Sequence, residues 1–144
     1  MGKIIVREYI SEITVSWAHC DAAGIVFYPH FYTWFDQSTE RFFSANGLSY
    51  GELARDFGID GMPLLETGAA YTRPCKLGST LSIKSWVADW DRKTFLVKHR
   101  ISHASTDEAL EGFERRAMVV NDSNSSRGMR AIEIPESIRN RFLD

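Results

Sequence analysis

Residues 29–46 read PHFYTWFDQSTERFFSAN, an aromatic-rich segment with the spacing of a long helix. Pro29 suits the first turn of a helix, and Gly47 stands where a helix C-cap places a left-handed residue. On a helical wheel, one face carries Phe31, Trp34, Phe35, Ser38, Phe42 and Ala45, and a flank about 100–120° away carries Tyr32, Asp36, Thr39 and Phe43. Such a helix is apolar on more than one side, so we expect other parts of the chain to wrap around it.

Alternating apolar residues on either side of this helix predict β-strands. Before the helix, Ile13, Val15 and Trp17 alternate with polar residues within Glu8–Trp17. After it, Ser49–Phe57 predicts a second, short helix. Four longer extended segments follow: Leu64–Pro74, Thr80–Trp90, Thr94–His103 and Ala109–Asn121.

The segments between the later strands contain residues that are typical of turns. Gly78, Asp91–Lys93 and Ser105–Glu108 separate the four strands, which predicts antiparallel hairpins. Asn121–Gly128 reads as a flexible polar loop before the C-terminal tail. One strand, a helix and four strands in hairpin order predict a single α+β domain over residues 1–144. In it, a five-stranded antiparallel sheet curls around a long central helix.

An open sheet of five strands leaves an edge with unpaired backbone groups. Pairing that edge with a second copy of the chain satisfies those groups without any additional structure. The sequence therefore predicts self-association to at least a dimer.

Composition places the chain among ordinary globular domains. It has 144 residues, of which 44% are hydrophobic and 25% charged, enough for one core. A formal net charge of −2 argues against a broad surface for nucleic acid or anionic lipid. No apolar run reaches the length of a signal peptide or membrane helix, so we expect a cytoplasmic protein without nucleic-acid or membrane partners. Cys20 and Cys75 are expected to be free thiols.

Asp21 is the first candidate for a catalytic residue. It begins the small-residue loop 21–24, about eight residues before the predicted helix. A carboxylate beside a helix N-terminus combines a base or nucleophile with backbone N–H groups that can stabilise an oxyanion. Turn formation explains the same residue, because aspartate commonly closes such loops. From the residues alone, both interpretations stay open.

Other polar residues give weaker candidates. His19 and Cys20 are neighbours in extended chain, so their side chains point apart, which disfavours a Cys–His catalytic pair. His99 and His103 share a strand face, but no third ligand is indicated, and we predict no metal site. Asp36 lies on the aromatic flank of the helix, where a carboxylate requires a partner or a polar ligand atom.

Basic residues occur in two places that can meet a phosphate. Arg92 and Lys93 occupy a predicted turn, and Arg127 and Arg130 lie near the C-terminal tail. Arginine and lysine bind phosphate groups well, so convergence of these residues would make an anion site. The alternative is a set of unrelated surface charges.

Three stretches of the chain carry a family resemblance. They read HCDAAGIVFYP at 19–29 with WFD at 34–36, WDRKTF at 90–95, and RAIEIP at 130–135. These motifs resemble the hotdog-fold acyl-CoA thioesterases, in particular the 4-hydroxybenzoyl-CoA thioesterase family. The resemblance extends from about Val15 to Pro135. The pattern Asp-x-x-Gly-Ile-Val-x-Tyr-Pro is more specific for the wider family than for one substrate.

The resemblance implies a hotdog fold, in which the sheet wraps around the central helix, and hydrolysis of a coenzyme A thioester. It also implies dimers that share active sites and commonly pair into tetramers. Asp21 matches the family's catalytic carboxylate, and Tyr28 matches the residue whose backbone N–H polarises the thioester carbonyl. The positions that match coenzyme A-binding residues are Arg92, Lys93, Thr94 and Arg130. No cofactor is implied, because coenzyme A is part of the substrate.

Three residues depart from the family's pattern. Asp91 replaces a basic residue, Tyr50 replaces a tryptophan, and Met62 replaces a threonine near the ring hydroxyl. Met62 offers no hydroxyl, whereas Asp36 matches a position near the acyl ring and can accept a hydrogen bond from a phenol. We therefore predict that Asp36, Tyr50 and Met62 bind an aromatic acyl group similar to 4-hydroxybenzoyl.

Alternatives to this function stay open at the level of sequence. A non-catalytic acyl-CoA-binding protein would keep the phosphate-binding residues without needing Asp21. A thioesterase for short or medium aliphatic acyl-CoA would use the same motif. A hotdog dehydratase would require a histidine-based motif in place of Asp21. Nucleophilic attack by Asp21 and general-base activation of water both fit the residues.

Overall fold

The secondary structure comes from a computed structural model that describes residues 7–104 and 107–143. The strands are Glu8–Thr14 (β1), Leu64–Tyr71 (β2), Thr80–Trp90 (β3), Thr94–His103 (β4), Asp107–Ala117 (β5), Val119–Asn121 (β6) and Met129–Ala131 (β7). The helices are Pro29–Ala45 (α1), Tyr50–Phe57 (α2) and Glu136–Arg139 (α3), with short 3₁₀ turns at Trp17–His19 and Asn140–Phe142. In the part of the chain described, no helix has the length and hydropathy to cross a bilayer.

The main sheet is antiparallel and five-stranded, in the order β1-β3-β4-β5-β2. This confirms the predicted α+β fold with five antiparallel strands. β6 and β7 form a separate two-stranded ribbon. The predicted hairpin between the second and third strands is wrong, because β2 pairs with β5 at the far edge and β3 pairs with β1 and β4.

The connection from β2 to β3 explains that difference. Instead of turning back on β2, it crosses to the other edge of the sheet along the loop that precedes α1. Val26 N–H donates to the Cys75 carbonyl at 2.8 Å, and Leu77 N–H donates to the Gly24 carbonyl at 3.0 Å. Gly78, with φ of +85°, then bonds to the Val15 carbonyl and directs the chain into β3.

Two strands end earlier than the sequence predicted. β1 ends at Thr14 rather than Trp17, because Ser16 and His19 cap the 3₁₀ turn that follows. β2 ends at Tyr71 rather than Pro74, where the crossing connection begins.

The last predicted strand, Ala109–Asn121, is two strands. β5 begins at Asp107 and ends at Ala117, and the chain leaves the sheet to form β6. Ser105 and Thr106 of the predicted turn before β5 lie outside the described residues. The polar loop 121–128 is the tip of the β6–β7 ribbon, closed by the Asp122 N–H on the Gly128 carbonyl at 2.9 Å.

α1 begins at the predicted Pro29 and ends at Ala45, one residue before the predicted end at about Asn46. After the C-cap residue Asn46, Gly47 takes a φ of +73°. The buried residues of α1 are Phe31, Trp34, Phe35, Ser38, Thr39, Phe42 and Phe43. Both the predicted face and part of the predicted flank are therefore buried against the sheet. Ala45, which the wheel placed on the buried face, is exposed in the last turn, and Asp36 on the flank points outward.

The core is divided into two clusters along α1. Around its first half, Phe31, Trp34 and Phe35 pack with Val15 and Leu81. Around its second half, residues from the sheet and the C-terminal tail meet Phe42 and Phe43, among them Leu48, Phe95, Met118, Ile134 and Phe142. Each fully buried side chain of this size contributes about 1.5–3 kcal/mol, so both ends of α1 are anchored.

Candidate active site

A cleft of about 590 Å³ opens at the N-terminal end of α1. Its lining includes Asp21, Ile25, Tyr28, Phe31, Tyr71 and Arg73. The two residues predicted to be catalytic, Asp21 and Tyr28, thus line one cavity. They reach it from the loop before α1, while Tyr71 and Arg73 reach it from the end of β2 and the connection beyond.

The Asp21 loop is held in place by its own backbone. Asp21 N–H donates to the Ile25 carbonyl, and Gly24 N–H donates to the Asp21 carbonyl, both at 3.0 Å. The Asp21 Oδ1 accepts from the Ala23 N–H at 2.9 Å. Gly24 takes a φ of +76°, which a residue with a side chain rarely adopts. The turn interpretation of Asp21 is therefore correct as geometry.

The same turn leaves reactive groups available. Asp21 is exposed, and no donor from the described part of the chain bonds to its Oδ2. The Tyr28 N–H, at the start of α1, has no acceptor within residues 7–104 and 107–143, whereas the next N–H groups bond to Phe27 and Tyr28 carbonyls. A carboxylate oxygen and an unpaired N–H at a helix N-terminus therefore belong to one cleft.

Sequence reasoning missed the opposite wall of this cleft. Burial, together with a hydrogen bond to Tyr32, raises the pKa of Tyr71 to about 12, so its hydroxyl stays protonated. Burial raises the pKa of the Cys75 thiol to about 11, which makes it a poor nucleophile. Tyr71 is the last residue of β2 and Cys75 lies in the connection to β3, so their place in the cleft depends on strand pairing rather than on local sequence.

The predicted acyl-binding residues gather around Arg116, some distance along α1. Arg116 Nη2 donates to Asp36 Oδ1 at 2.6 Å, and Nη1 donates to the Met62 carbonyl at 2.9 Å. Burial raises the pKa of Tyr50, and the charges of Arg116 and Asp36 also act on its hydroxyl. The Met62 side chain is only 3% exposed and packs in the core, so Met62 faces this cluster with its carbonyl.

A buried polar cluster continues from Arg116 beneath α1, and sequence reasoning missed it. Glu114 contacts Arg116, Thr39 and His99, and His99 Nδ1 lies 2.6 Å from Ser85 Oγ. Burial raises the pKa of Glu114, but the hydrogen bond and charge of His99 and the charge of Arg116 lower it more. The net pKa lies below the usual value, so Glu114 is ionised.

The predicted coenzyme A-binding residues lie at the other end of the molecule. Arg92 pairs with Glu133 at 3.7 Å, and Arg130 pairs with Asp122 at 3.2 Å. Both arginine side chains are largely exposed. Lys93 is exposed in the same turn as Arg92. These ion pairs are weak enough in water for a phosphate to replace them.

Two further residues belong to this basic region. Asp91, the departure from the family's pattern, caps the turn by accepting the Arg92 N–H at 2.7 Å. Thr94 Oγ1 accepts from Arg115 at 3.3 Å. The backbone here adjoins the core around the second half of α1, through the Ile134 N–H on the Arg92 carbonyl.

The candidate residues therefore do not converge within one chain. Asp21 and Tyr28 lie before α1, Asp36 and Tyr50 lie along it, and the basic turn adjoins its C-terminal half. The 17 residues of α1 span about 25 Å. A single chain thus presents a reactive cleft and a basic surface at opposite ends.

The weaker candidates contact unrelated groups. His19 Nδ1 accepts from the Ser16 N–H at 3.0 Å, and the Cys20 thiol faces the Ser16 carbonyl, so the two neighbours do not pair with each other. His103 contacts the Pro74 carbonyl at 3.1 Å, whereas His99 contacts Thr39, Ser85 and Glu114. Both cysteines are free, as predicted.

Comparison with known proteins gives consistent matches. The sequence profile of the Thioesterase-like superfamily matches residues 15–142. The chain is 26% identical to the 4-hydroxybenzoyl-CoA thioesterase of Pseudomonas sp. strain CBS-3 over 134 residues, 90% of this chain and 93% of that enzyme. The solved structure of that enzyme superposes with a TM-score of 0.84 over 94% of this chain and 99% of its own. The structure of a gentisyl-coenzyme A thioesterase, 26% identical, superposes with a TM-score of 0.75 over 94% of this chain and 99% of its own.

Proposed function

We infer the function from one premise: this chain belongs to the Thioesterase-like superfamily. It is an acyl-CoA thioesterase, which hydrolyses a thioester to a free acid and coenzyme A. We propose that its acyl group is aromatic and carries a ring hydroxyl. The observation that supports the catalytic part is the shared cleft of Asp21 and the unpaired Tyr28 N–H.

The proposed reaction uses Asp21 at the thioester carbon. The carboxylate either attacks that carbon, which gives a mixed anhydride that water then cleaves, or takes a proton from an attacking water. In both routes the C–S bond breaks, and coenzyme A leaves as a thiolate that gains a proton. The loop bonds that fix Asp21 favour either route, because they hold the carboxylate without consuming Oδ2.

The Tyr28 N–H is the proposed oxyanion donor. Negative charge develops on the carbonyl oxygen during attack, and an N–H fixed at the start of α1 stabilises it without reorganisation. The positive end of the dipole of α1 adds to this stabilisation. Pro29 has no N–H, so Tyr28 supplies the last free donor before the helix begins.

The aromatic acyl group is supported by chemistry on this chain and by its relatives. The two relatives named above act, by their names, on a hydroxybenzoyl thioester and on a gentisyl thioester. Asp36 here presents an exposed carboxylate whose charge acts on the Tyr50 hydroxyl. A phenol hydroxyl bound by Asp36 would orient the ring of the substrate.

We further propose that one active site draws on two copies of the chain. A thioester cannot reach Asp21 and the basic turn of the same chain without spanning the length of α1. β2 is an edge strand with Leu64 and Leu65 about half exposed, which offers a surface for a second copy. Dimers, paired again into tetramers, would bring Asp21 of one copy toward Asp36 and the basic residues of another.

A substrate panel tests the proposed function. Purified protein is incubated with 4-hydroxybenzoyl-CoA, benzoyl-CoA and hexanoyl-CoA, and the released thiol is measured. We expect kcat/KM to be highest for the hydroxylated aryl thioester. At least tenfold faster hydrolysis of the alkyl thioester would contradict the aromatic assignment. Binding without thiol release from any thioester would indicate an acyl-CoA-binding protein.

Removing the basic residues is expected to raise KM selectively. In the variant Arg92→Ala/Lys93→Ala/Arg130→Ala, the phosphates lose charge-assisted contacts, so KM for aryl-CoA rises about tenfold or more. KM for the matching N-acetylcysteamine thioester, which has no phosphate, stays within about twofold. Added salt should imitate the variant, because exposed charges are screened over about 10 Å at 0.1 M.

Mixing variants tests whether the site is shared. The triple variant is refolded together with Asp21→Asn and assayed at low substrate. Alone, the triple variant should retain about a tenth of wild-type activity or less, and Asp21→Asn about a hundredth or less. A shared site predicts that activity returns to about a quarter of wild type, since half the dimers are mixed and each has one complete site. If each chain carries its own site, the mixture stays as inactive as its components.

A further inference from the structure

The polar cluster beneath α1 has no part in the reaction proposed above, although it costs free energy to bury. Arg116 is 5% exposed, Glu114 is 2% exposed and His99 is fully buried. His99 Nε2 lies 2.8 Å from Glu114 Oε1, and the Thr39 hydroxyl donates to the same oxygen. Each residue of the cluster has at least one polar partner, although the buried Nε of Arg116 has none in the described part of the chain. The cluster reaches the surface where Arg116 contacts Asp36.

Three groups on the buried side of Arg116 fix its guanidinium. Its Nη1 is fixed by the Met62 carbonyl, its Nη2 by the Glu114 carboxylate, and Glu114 in turn by His99. The Nη2 also donates to Asp36 Oδ1 at 2.6 Å. The Arg116 side chain is 6% exposed, whereas that of Asp36 is 64% exposed. A rigid buried cation thus orients a carboxylate that faces solvent.

We propose that Arg116 is a positioning residue for the acyl group: it fixes the Asp36 carboxylate in the orientation that accepts a ring hydroxyl. This rests on the proposed function, in which Asp36 binds that hydroxyl. The guanidinium is shared between Glu114 and Asp36, so one positive charge faces two negative ones. This arrangement of charges favours a neutral hydroxyl over an anionic ring substituent at Asp36.

The geometry needs arginine rather than any cation. The planar guanidinium bonds to Met62 through one terminal nitrogen and to both carboxylates through the other. A lysine ammonium is a single point on a flexible stem and cannot hold these directions together. Arg116→Lys keeps the buried charge but releases Asp36 from its fixed orientation.

The test measures kcat and KM of wild type and Arg116→Lys for 4-hydroxybenzoyl-CoA and benzoyl-CoA. We expect the ratio of the two kcat/KM values to fall about five- to tenfold, with kcat for benzoyl-CoA within about twofold of wild type. Arg100→Lys serves as the matched control, because Arg100 pairs with Glu111 on the other face of the sheet. That variant should change neither value.

A double-mutant cycle separates positioning from a general structural role. Asp36→Ala alone should lower the same ratio, and Arg116→Lys combined with Asp36→Ala should lower it no further. If both substrates lose equally, or if the two losses multiply, Arg116 supports the fold and the proposal is overturned. If wild type hydrolyses neither aryl thioester, the proposed function fails first and this proposal with it.

A second variant tests the proposal in case Arg116→Lys does not fold. Arg116→Met/Glu114→Gln removes both charges together, so no unpaired charge stays buried, and the glutamine oxygen still accepts from Thr39 and His99. Circular dichroism and the melting temperature verify folding. Loss of the hydroxyl preference in this variant supports the proposal, and an unchanged ratio overturns it.

Discussion

Replacing Asp21 with asparagine is expected to lower kcat for aryl-CoA hydrolysis at least ~10²-fold, the usual scale for a lost base or nucleophile. The amide cannot attack the thioester carbon or accept a proton from water. The fold should be unaffected, because the amide oxygen can still accept the Ala23 N–H in the turn. Thiol release by purified Asp21→Asn, with circular dichroism as a folding check, measures this.

The matched control is Asp89→Asn, an exposed aspartate on β3 outside the cleft. It loses the same charge and should keep the wild-type rate. Near-wild-type thiol release by Asp21→Asn would remove Asp21 from the proposed mechanism. Hydrolysis in ¹⁸O-water then distinguishes the two routes, since only a mixed anhydride can place solvent oxygen in the Asp21 side chain.

The parts of the site that come from local sequence were predictable. Helix α1 follows from its wheel, Pro29 and Gly47, and the loop before it follows from small residues ending in Gly24. The place of Asp21 beside the start of α1 needs no long-range information. The resemblance added the role of the Tyr28 N–H, which spacing alone does not distinguish from any helix start.

The partners of the polar residues were not predictable in the same way. The sequence indicated that Asp36 required a partner, but Arg116 lies 80 residues later, on a strand whose place in the sheet was unknown. The alternation of residues along β4 indicated where His99 lies. His99 shares a strand face with Phe95, Val97 and Ile101, which are all buried. Reading that alternation would have placed His99 beneath the helix, where it contacts Glu114 and Ser85.

The order of the strands in the main sheet was the part of the fold that the sequence predicted least well. β2 and β5 pair at one edge and β1 and β3 near the other, although turn residues between β2 and β3 suggested a hairpin. Turn residues report that the chain bends, but not which strand it meets next. That pairing depends on the bonds between the connection and the loop before α1, such as Val26 N–H to the Cys75 carbonyl.

Gly112→Ala is expected to lower the stability of the protein, because an added Cβ would meet nearer atoms there than at any other glycine that the structure describes. Gly112 lies on β5 beside His99, where the Phe35 ring covers both. A Cβ at this position would overlap the Cε2 and Cζ atoms of Phe35. The ring is fully buried and stacks on His99 at 4.7 Å and 9°, so it has no free space to move into.

Overpacking of this kind costs about 1–3 kcal/mol, which corresponds to a decrease in Tm of about 4–12 °C for a domain of this length. Gly51→Ala in α2 is the control, because its Cβ would meet nothing within 4 Å and should leave Tm unchanged or slightly raised. The clash also predicts that a second substitution will partly restore stability. Phe35→Leu removes the ring atoms that meet the new Cβ, so it should destabilise the Gly112→Ala protein less than it destabilises wild type. Equal melting temperatures for wild type and Gly112→Ala would show that α1 can move away from the sheet, and the fixed contact between Phe35 and His99 would then be wrong.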